Sequence, residues 1–492
     1  MERHFPGENT AMTTLLRIAT AMALGVCTLS LAACDQPKPE ARSQSTKPGV
    51  ADVNSAVVHA RAVQAVIWGL PAVNYDLMLQ EMLHKTAAKQ NEIVYWSRPV
   101  DWKNQTLTPN PDALYFMTFF NTADIGPLVI EVPPADTGVF AANIDTIWQM
   151  PLEDAGLVGA DQGKGGKYLI VPPAYKGQLP AGYITVHSDT FGGYALLRSN
   201  LASHSDADIA KSLAYGKRLK VYPLSQAAHP PETTFTDAKE VMYDSTIPYD
   251  LRFFQSLDRI IQTEPWLPRD KAMIDQLKSL GIEKGKTFNP DAKTSDLLKS
   301  AAIEARDYID GLYQAGFPPF FSSSRWAVPA MPELVKEGSS GYADPNTYPV
   351  DARALTYSIG YVGIKRLGTA QFYLIESKDK NGNAFDGSAT YRLHVPANPP
   401  TSQYWSATVY DRVTHALVKN LDRASRASND TSLQKNPDGS VDIYFGPKAP
   451  DGKESNWIPT DPTRQFEVLF RIYGPTKTLF DKTWVLADIE KL

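Results

Sequence analysis

The amino-acid sequence predicts a mainly β protein with helical connections: an N-terminal β-sandwich followed by a C-terminal jelly-roll-like β domain. Three observations predict it. Residues 106–200 break into short runs rich in aromatic and β-branched side chains, punctuated by Gly and Pro. Residues 391–475 alternate apolar and polar side chains with a period of two. The 37 prolines outnumber the 31 glycines, which favours sheets and ordered loops over helix bundles.

The first segment is not part of that architecture. In "LLRIATAMALGVCTLSLAACDQ", Arg17 precedes an apolar run from Ile18 to Ala33. At 16 residues the run is short of the roughly 20 that cross a bilayer. It reads as a secretory signal over residues 1–33, with Met1 and Met12 both open as the start. "LAAC", Leu31 to Cys34, resembles a bacterial lipobox. That resemblance implies cleavage before Cys34, acylation of its thiol and attachment to a lipid bilayer, facing the periplasm. Asp35 after the Cys favours the inner membrane; a plain cleaved signal is the alternative. The only other cysteine, Cys27, lies inside the signal, so the processed chain has no free thiol and neither disulfides nor Cys-ligated metals. Residues 34–54 are polar and Pro-rich and read as a flexible tether.

Residues 55–225 form the first domain. A helix begins near Ser55, with Val58, Ala62 and Val66 at four-residue spacing. Gly69 and Pro71 are expected to end it, and "VNYDLMLQEMLHK" to form a second helix. "ALYFMTFF", "GPLVIEVPP", "GVFAANIDTIW", "KYLIVPP", "GYITVHS" and "GYALLRS" then read as strands, and 206–219 as a helix. "GADQGKGGKYLIVPP" fails the phosphate-loop patterns, runs into a strand and reads as a hairpin loop. Residues 226–365 are a helical and irregular connecting region. Within it "YDLRFFQSLDRIIQ" and "SDLLKSAAIEARDYIDGLYQ" are helical, and "AGFPPFFSSSRWAVPAM" reads as a surface segment. Residues 366–492 return to strands: "YRLHV", "WSATVY", "VDIYF" and "FEVLFRIY".

"TPNPDALY", "GPLVIEVPP", "IDTIW", "GKYLIVPP" and "LPAGYITVHSDT" resemble the bacterial family called domain of unknown function 1254. "YRLHVPANPPTSQYWSATVYD", "NPDGSVDIYFG" and "NWIPTDPTRQFEVLFRIYGP" resemble its usual partner, domain of unknown function 1214. The resemblance implies two β domains joined by helices and implies no activity. Ala113, Asn121 and Gln149 depart from the pattern, which more often has Thr or Val, Asp, and Asn there.

Composition excludes some functions. The net charge is −5 and no Lys/Arg run resembles a nucleic-acid footprint. The seven histidines beyond the signal, His59, His84, His187, His204, His229, His394 and His415, are never within five residues of one another, so no local metal motif exists. No cofactor is evident, and a divalent metal is allowed but not indicated. No Gly-x-Ser-x-Gly elbow occurs.

The candidates are scattered. Asn110 and Asp112, each after a proline, either bond their own backbone in a turn or project into a cleft. Tyr115 follows on the strand they start. Asp145 shares a strand face with Asn143, opposite Phe140, Ala142 and Ile144. Arg325 and Asp351 lie beside aromatic or Pro-rich segments. Trp457 and Arg471, with Trp405, Tyr410 and Tyr473, suit flat ligands with polar edges, or core packing. Two readings follow: an envelope lipoprotein binding a small or glycan-like ligand in a cleft between two β domains, or a hydrolase or metal-assisted enzyme built from these polar residues.

Overall fold

The structure, a computed structural model, describes residues 50–360, 365–368 and 370–492. The predicted signal, Cys34 and the tether up to residue 49 lie outside the described residues. The fold is mainly β with helices, as the strand patterns predict.

Two sheets face each other in the first β unit. The larger has six strands in the order Phe235–Asp237, Ile93–Tyr95, Ala113–Asn121, Gly192–Asn200, Phe140–Thr146 and Pro151–Gly156. The smaller has four: Lys220–Pro223, Leu128–Val132, Gly166–Val171 and Ile184–His187. Leu114, Phe116, Phe140, Ile144 and Leu197 pack against Ile130, Tyr168 and Ile170 between them. Side chains of opposite parity, Tyr115, Met117, Phe119, Tyr194 and Leu196, point into a second core under the helices. The central strands are therefore covered on both faces, which is why they read as nearly continuous apolar runs. Gly193 permits one close approach: a Cβ there would sit 2.2 Å from the Phe120 ring.

Two boundaries differ from the sequence expectation. Phe235–Asp237 pairs in parallel with Ile93–Tyr95, so the first β unit recruits a strand from beyond residue 225. The glycine-rich segment is not a hairpin. The strand before it belongs to the six-stranded sheet and the strand after it to the four-stranded one, and Gly163 and Gly165 (φ 70° and 77°) turn the chain across.

Among the described residues eight α-helices complete the scaffold: α1 (Val50–Lys85), α2 (Asp206–Gly216), α3 (Leu251–Thr263), α4 (Lys271–Leu277), α5 (Ala292–Ala315), α6 (Pro332–Ser340), α7 (Val350–Ile359) and the single-turn α8 (Lys477–Phe480). α1 runs unbroken through Pro71, against the expected stop. Packing overrides the breaker: α1 touches α3, α5 and α7, and Gly69 lies against Leu257 and Phe253 of α3. The Pro71 carbonyl accepts a bond from Gln149 Nε2 (2.9 Å). α1 is long and apolar enough to cross a membrane by length and composition, yet Ala65, Val66, Leu70, Val73, Met78 and Met82 are buried against other protein.

The C-terminal unit has eight strands in two four-stranded sheets, the strand count of a jelly roll. One sheet is Gln371–Glu376, Phe466–Pro475, Thr401–Asp411 and Ser425–Ala427; the other is Trp457–Pro459, Val441–Gly446, Tyr391–Val395 and Glu490–Lys491. Between them lie Phe372, Leu393, Trp405, Val409, Ile443 and Phe470. "AGFPPFFSSSRWAVPAM" is not a surface segment. Phe321 and Trp326 are fully buried in this core, and the Trp326 indole donates to the Ala487 carbonyl (2.9 Å). An aromatic pair in a Pro-rich stretch thus serves as packing.

Candidate functional site

The period of two in "FEVLFRIY" decides where the polar chemistry sits. Phe466, Val468, Phe470 and Ile472 fill the C-terminal sandwich. The alternate residues Glu467, Leu469, Arg471 and Tyr473 must leave the other face, and all four are buried there. The paired strand Thr401–Asp411 adds Tyr404, Thr408 and Tyr410 to that face, and Gln371–Glu376 adds Tyr373. Opposite them the six-stranded sheet presents Tyr115, Asn143, Asp145 and Arg198. The two β units therefore meet through a polar layer rather than an apolar one.

Asn110 is its centre. Its backbone N–H donates to Tyr115 Oη (2.7 Å), and its side-chain amide donates to Tyr473 Oη (2.9 Å) and Tyr404 Oη (3.3 Å). Its Oδ1 accepts from the Asp112 N–H (3.0 Å), the local turn bond. The turn reading of "TPNPD" is realised by the oxygen of Asn110; its nitrogen turns outward to the tyrosines of the junction, and neither Asn110 nor Asp112 lines a described cavity. The Asp112 carboxylate goes outward too. Its Oδ1 accepts from Ser425 Oγ (2.8 Å) and lies 3.3 Å from His204 Nε2, while Oδ2 is buried without a partner. The Asp112 contact holds the His204 pKa above its ordinary value.

Arg471 donates to Thr408 Oγ1 (3.0 Å), the Thr108 carbonyl (2.9 Å) and Tyr410 Oη (2.6 Å). Arg198 reaches Asn143 Oδ1 at 3.4 Å, and Asn143 Nδ2 donates to Asp145 Oδ2 (3.0 Å). Desolvation raises the Asp145 pKa to about 8, because burial disfavours the carboxylate. Arg198 and Arg471 line one small cavity of about 20 Å³ with Thr108, Tyr115 and Tyr373. A second of similar size lies beyond Tyr115 and Arg198, against Met78, Trp96 and Met117.

The large cleft is elsewhere. It has a volume of about 760 Å³ and lies between the helical layer and the C-terminal unit, not between the two β units as the sequence suggested. The loop 246–249, α5 and the turn after Asp411 wall it. Its arginines are each matched to an aspartate: Arg252 with Asp250 (2.7 Å), Arg306 with Asp307 (2.7 Å) and Arg412 with Asp310 (2.5 Å). Arg412 also stacks 3.9 Å over the Tyr313 ring.

His415 belongs to this cleft. Its Nδ1 meets Glu467 Oε1 at 2.8 Å, and Tyr313 Oη donates to Glu467 Oε2 (2.5 Å). Glu467 is fully buried, so His415 is oriented by a carboxylate whose two oxygens are both engaged, and its Nε2 is left over. Burial and Glu467 raise the Tyr313 pKa well above its ordinary value, which keeps the phenol a donor. The His415 backbone is left-handed (φ 54°), and its carbonyl accepts from Thr108, itself at φ 38°. A β-branched residue in that region is strained by about 1–3 kcal/mol, and such strain concentrates at binding and switch sites. Thr108 lines the inner cavity and His415 the cleft, so the two strained residues stand between them.

The sequence candidates separate accordingly. Asn110, Asp112, Tyr115, Asp145 and Arg471 come together at the junction. Arg325 is exposed, with its N–H bonded to Asp488; Asp351 is exposed at the start of α7 and accepts from Tyr308; Trp457 bonds Gly446 on the outer C-terminal sheet. None of these three lines the described cavities. Trp405 is core. Arg198, His204, Tyr313 and Glu467 were not singled out from sequence as site residues. For Glu467 the signal was there: a charge at the outward parity of a long strand. Among the described residues no group of three or more His, Cys, Asp or Glu side chains is placed to hold a metal ion.

Residues 90–223 match the family model described as "Protein of unknown function (DUF1254)", and residues 370–477 match "Protein of unknown function (DUF1214)". The two follow one another in the order their motifs predict. No curated protein matches the chain. The chain is similar to the crystal structure of the VPA0106 protein from Vibrio parahaemolyticus, with 19% identity and a TM-score of 0.55 over 88% of this chain and 100% of that one. That likeness is one of fold. A crystal structure of an uncharacterised protein from Burkholderia cenocepacia matches with 11% identity and a TM-score of 0.40, over 89% of this chain and 95% of that one.

Proposed function

We propose that this chain is a lipid-anchored envelope protein that binds a small, hydroxyl-rich or glycan-like ligand in its large cleft. The cleft itself carries the reading. Its volume of about 760 Å³ falls in the range of small-molecule sites. Its three arginines are already neutralised by aspartates and Lys378 Nζ donates to the Gln314 carbonyl (3.0 Å), so it offers directed donors and acceptors. Tyr249 and Tyr313 supply rings, and Gln314, Gln465 and His415 supply polar edges. That mixture suits a neutral polyol better than a polyanion. Titration calorimetry against a panel of envelope-derived oligosaccharides tests it. Binding by the wild type that falls at least tenfold in Tyr313→Phe and His415→Ala supports the reading; no binding by any sugar, or equal binding by both variants, removes it. Anchoring through Cys34 is tested by Cys34→Ser, which should move the protein from the membrane to the soluble fraction. The inner membrane is the expected compartment, from Asp35.

A second reading, hydrolysis, is favoured by one observation, the Glu467–His415 pair beside Tyr313. A histidine oriented by a buried carboxylate, with its other nitrogen free, is suited to take a proton from a hydroxyl or water held in the cleft. A metal-assisted version of this reading has no ligand cluster behind it among the described residues. Turnover of chromogenic esters or glycosides by the wild type but not by His415→Gln would favour hydrolysis over simple binding.

A further inference from the structure

We propose that the junction between the two β units is a binding site for a small monovalent oxyanion, a carboxylate group above all, held between Arg198 and Arg471. The observation is a charge imbalance. Both guanidinium groups are buried, at 4% and 1% exposure, and line the same cavity. Among the described residues neither lies within ion-pair distance of a carboxylate, whereas each arginine of the large cleft has one. Two cations taken out of water cost several kcal/mol each unless an opposite charge is supplied.

The donors are also incompletely used. The Nε of Arg198 and the Nε of Arg471 are both buried without a partner, and beside Tyr115 the Arg198 guanidinium makes one long bond, 3.4 Å, to Asn143. Arg353 is the control. It too is buried without a carboxylate in ion-pair distance, but its guanidinium bonds the Trp148 carbonyl and Tyr342 Oη, and it lines no described cavity. The two nearby acids do not resolve the imbalance. Asp112 is turned to Ser425 and His204, and Asp145 reaches Arg198 only through Asn143.

The size and shape of the cavity set the ligand class. About 20 Å³ admits a water or a group of a few atoms, not a phosphorylated metabolite. Forked guanidinium donors match the planar oxygens of a carboxylate better than a spherical halide. The second small cavity, against Met78, Trp96 and Met117, gives room for a methyl-sized apolar end. Formate and acetate are therefore the natural probes.

The proposal is independent of the large cleft. Thermal unfolding of the full chain, with sodium formate, acetate or nitrate exchanged for sodium chloride at fixed ionic strength, tests it. Formate and acetate should raise Tm saturably, and nitrate less. The shift should vanish in Arg471→Gln and persist in Arg306→Ala. If Arg471→Gln does not fold, Arg471→Lys keeps the charge but not the fork, and should weaken acetate roughly tenfold, the loss of one charge-assisted hydrogen bond. An equal response to every anion, or an unchanged acetate shift in Arg471→Lys and Arg198→Gln, would overturn the proposal.

Discussion

The large cleft and the inner junction are built from the same residue types and settle their charges differently. In the cleft each arginine has an aspartate, and the Arg252 and Arg306 pairs face water, so those two are cheap to make and cheap to lose. In the junction the arginines are dry and the bonds run to hydroxyls, amides and carbonyls. The difference teaches that polarity alone does not locate a site. What counts is whether the protein has already satisfied its own charges.

The largest expected effect is at Asn110. Asn110→Leu leaves the Tyr473 hydroxyl and the Asp112 N–H without their partner in a buried network, and should destabilise by about 3–5 kcal/mol. Urea unfolding measures it; a loss below 1 kcal/mol would mean that the junction is not the joint between the units. Asp145→Asn should act in the opposite direction. The folded Asp145 holds its proton up to about pH 8, against an ordinary value of 3.8, so wild-type folding takes up a proton between roughly pH 4 and 8. Wild-type stability is therefore lost as pH rises through that window, and the penalty is complete above pH 8. The asparagine removes it, with a gain of about 1–3 kcal/mol at pH 8 that shrinks towards pH 5.

Asp112→Asn has a smaller effect, of opposite sign and largest at low pH. His204 has a raised pKa, so the stability it draws from Asp112 is fully present below its unfolded value of about 6.5 and is lost as pH rises through the folded value. The variant should cost about 1 kcal/mol more at pH 6 than at pH 9. The smallest effect belongs to the cleft: Arg306→Ala should change stability by less than about 0.5 kcal/mol, since its pair with Asp307 is solvent-exposed. A loss above 1 kcal/mol there would erase the contrast between the two regions.

Strand parity made much of this readable in advance. Leu114, Phe116 and Phe120 against Tyr115, Met117 and Phe119 already implied a strand covered on both sides, and the structure covers both. Asn110 and Arg471 were nameable because a turn amide and an outward strand charge stand out locally. Their meeting was not, because Asn110 and Tyr473 are 363 residues apart and no local pattern encodes which face meets which. His415 and Tyr313 were hidden for the same reason: Glu467, which binds both, lies 52 residues from one and 154 from the other. Pro71 misled in the opposite way, since the local rule is sound and burial against α3 outweighed it.

The amide of Asn110 also sets a clock. Its partner Tyr473 leaves the ribosome 363 residues later, a delay of roughly 20–70 s at ordinary elongation rates. For much of that time the first β unit can close its own sandwich but must keep the side-chain amide of Asn110 uncovered, with Tyr404 and Tyr473 not yet made. The junction thus forms only after nearly all of the chain has been made. A nascent chain arrested before residue 473 would display this face to whatever chaperone or export factor meets it first.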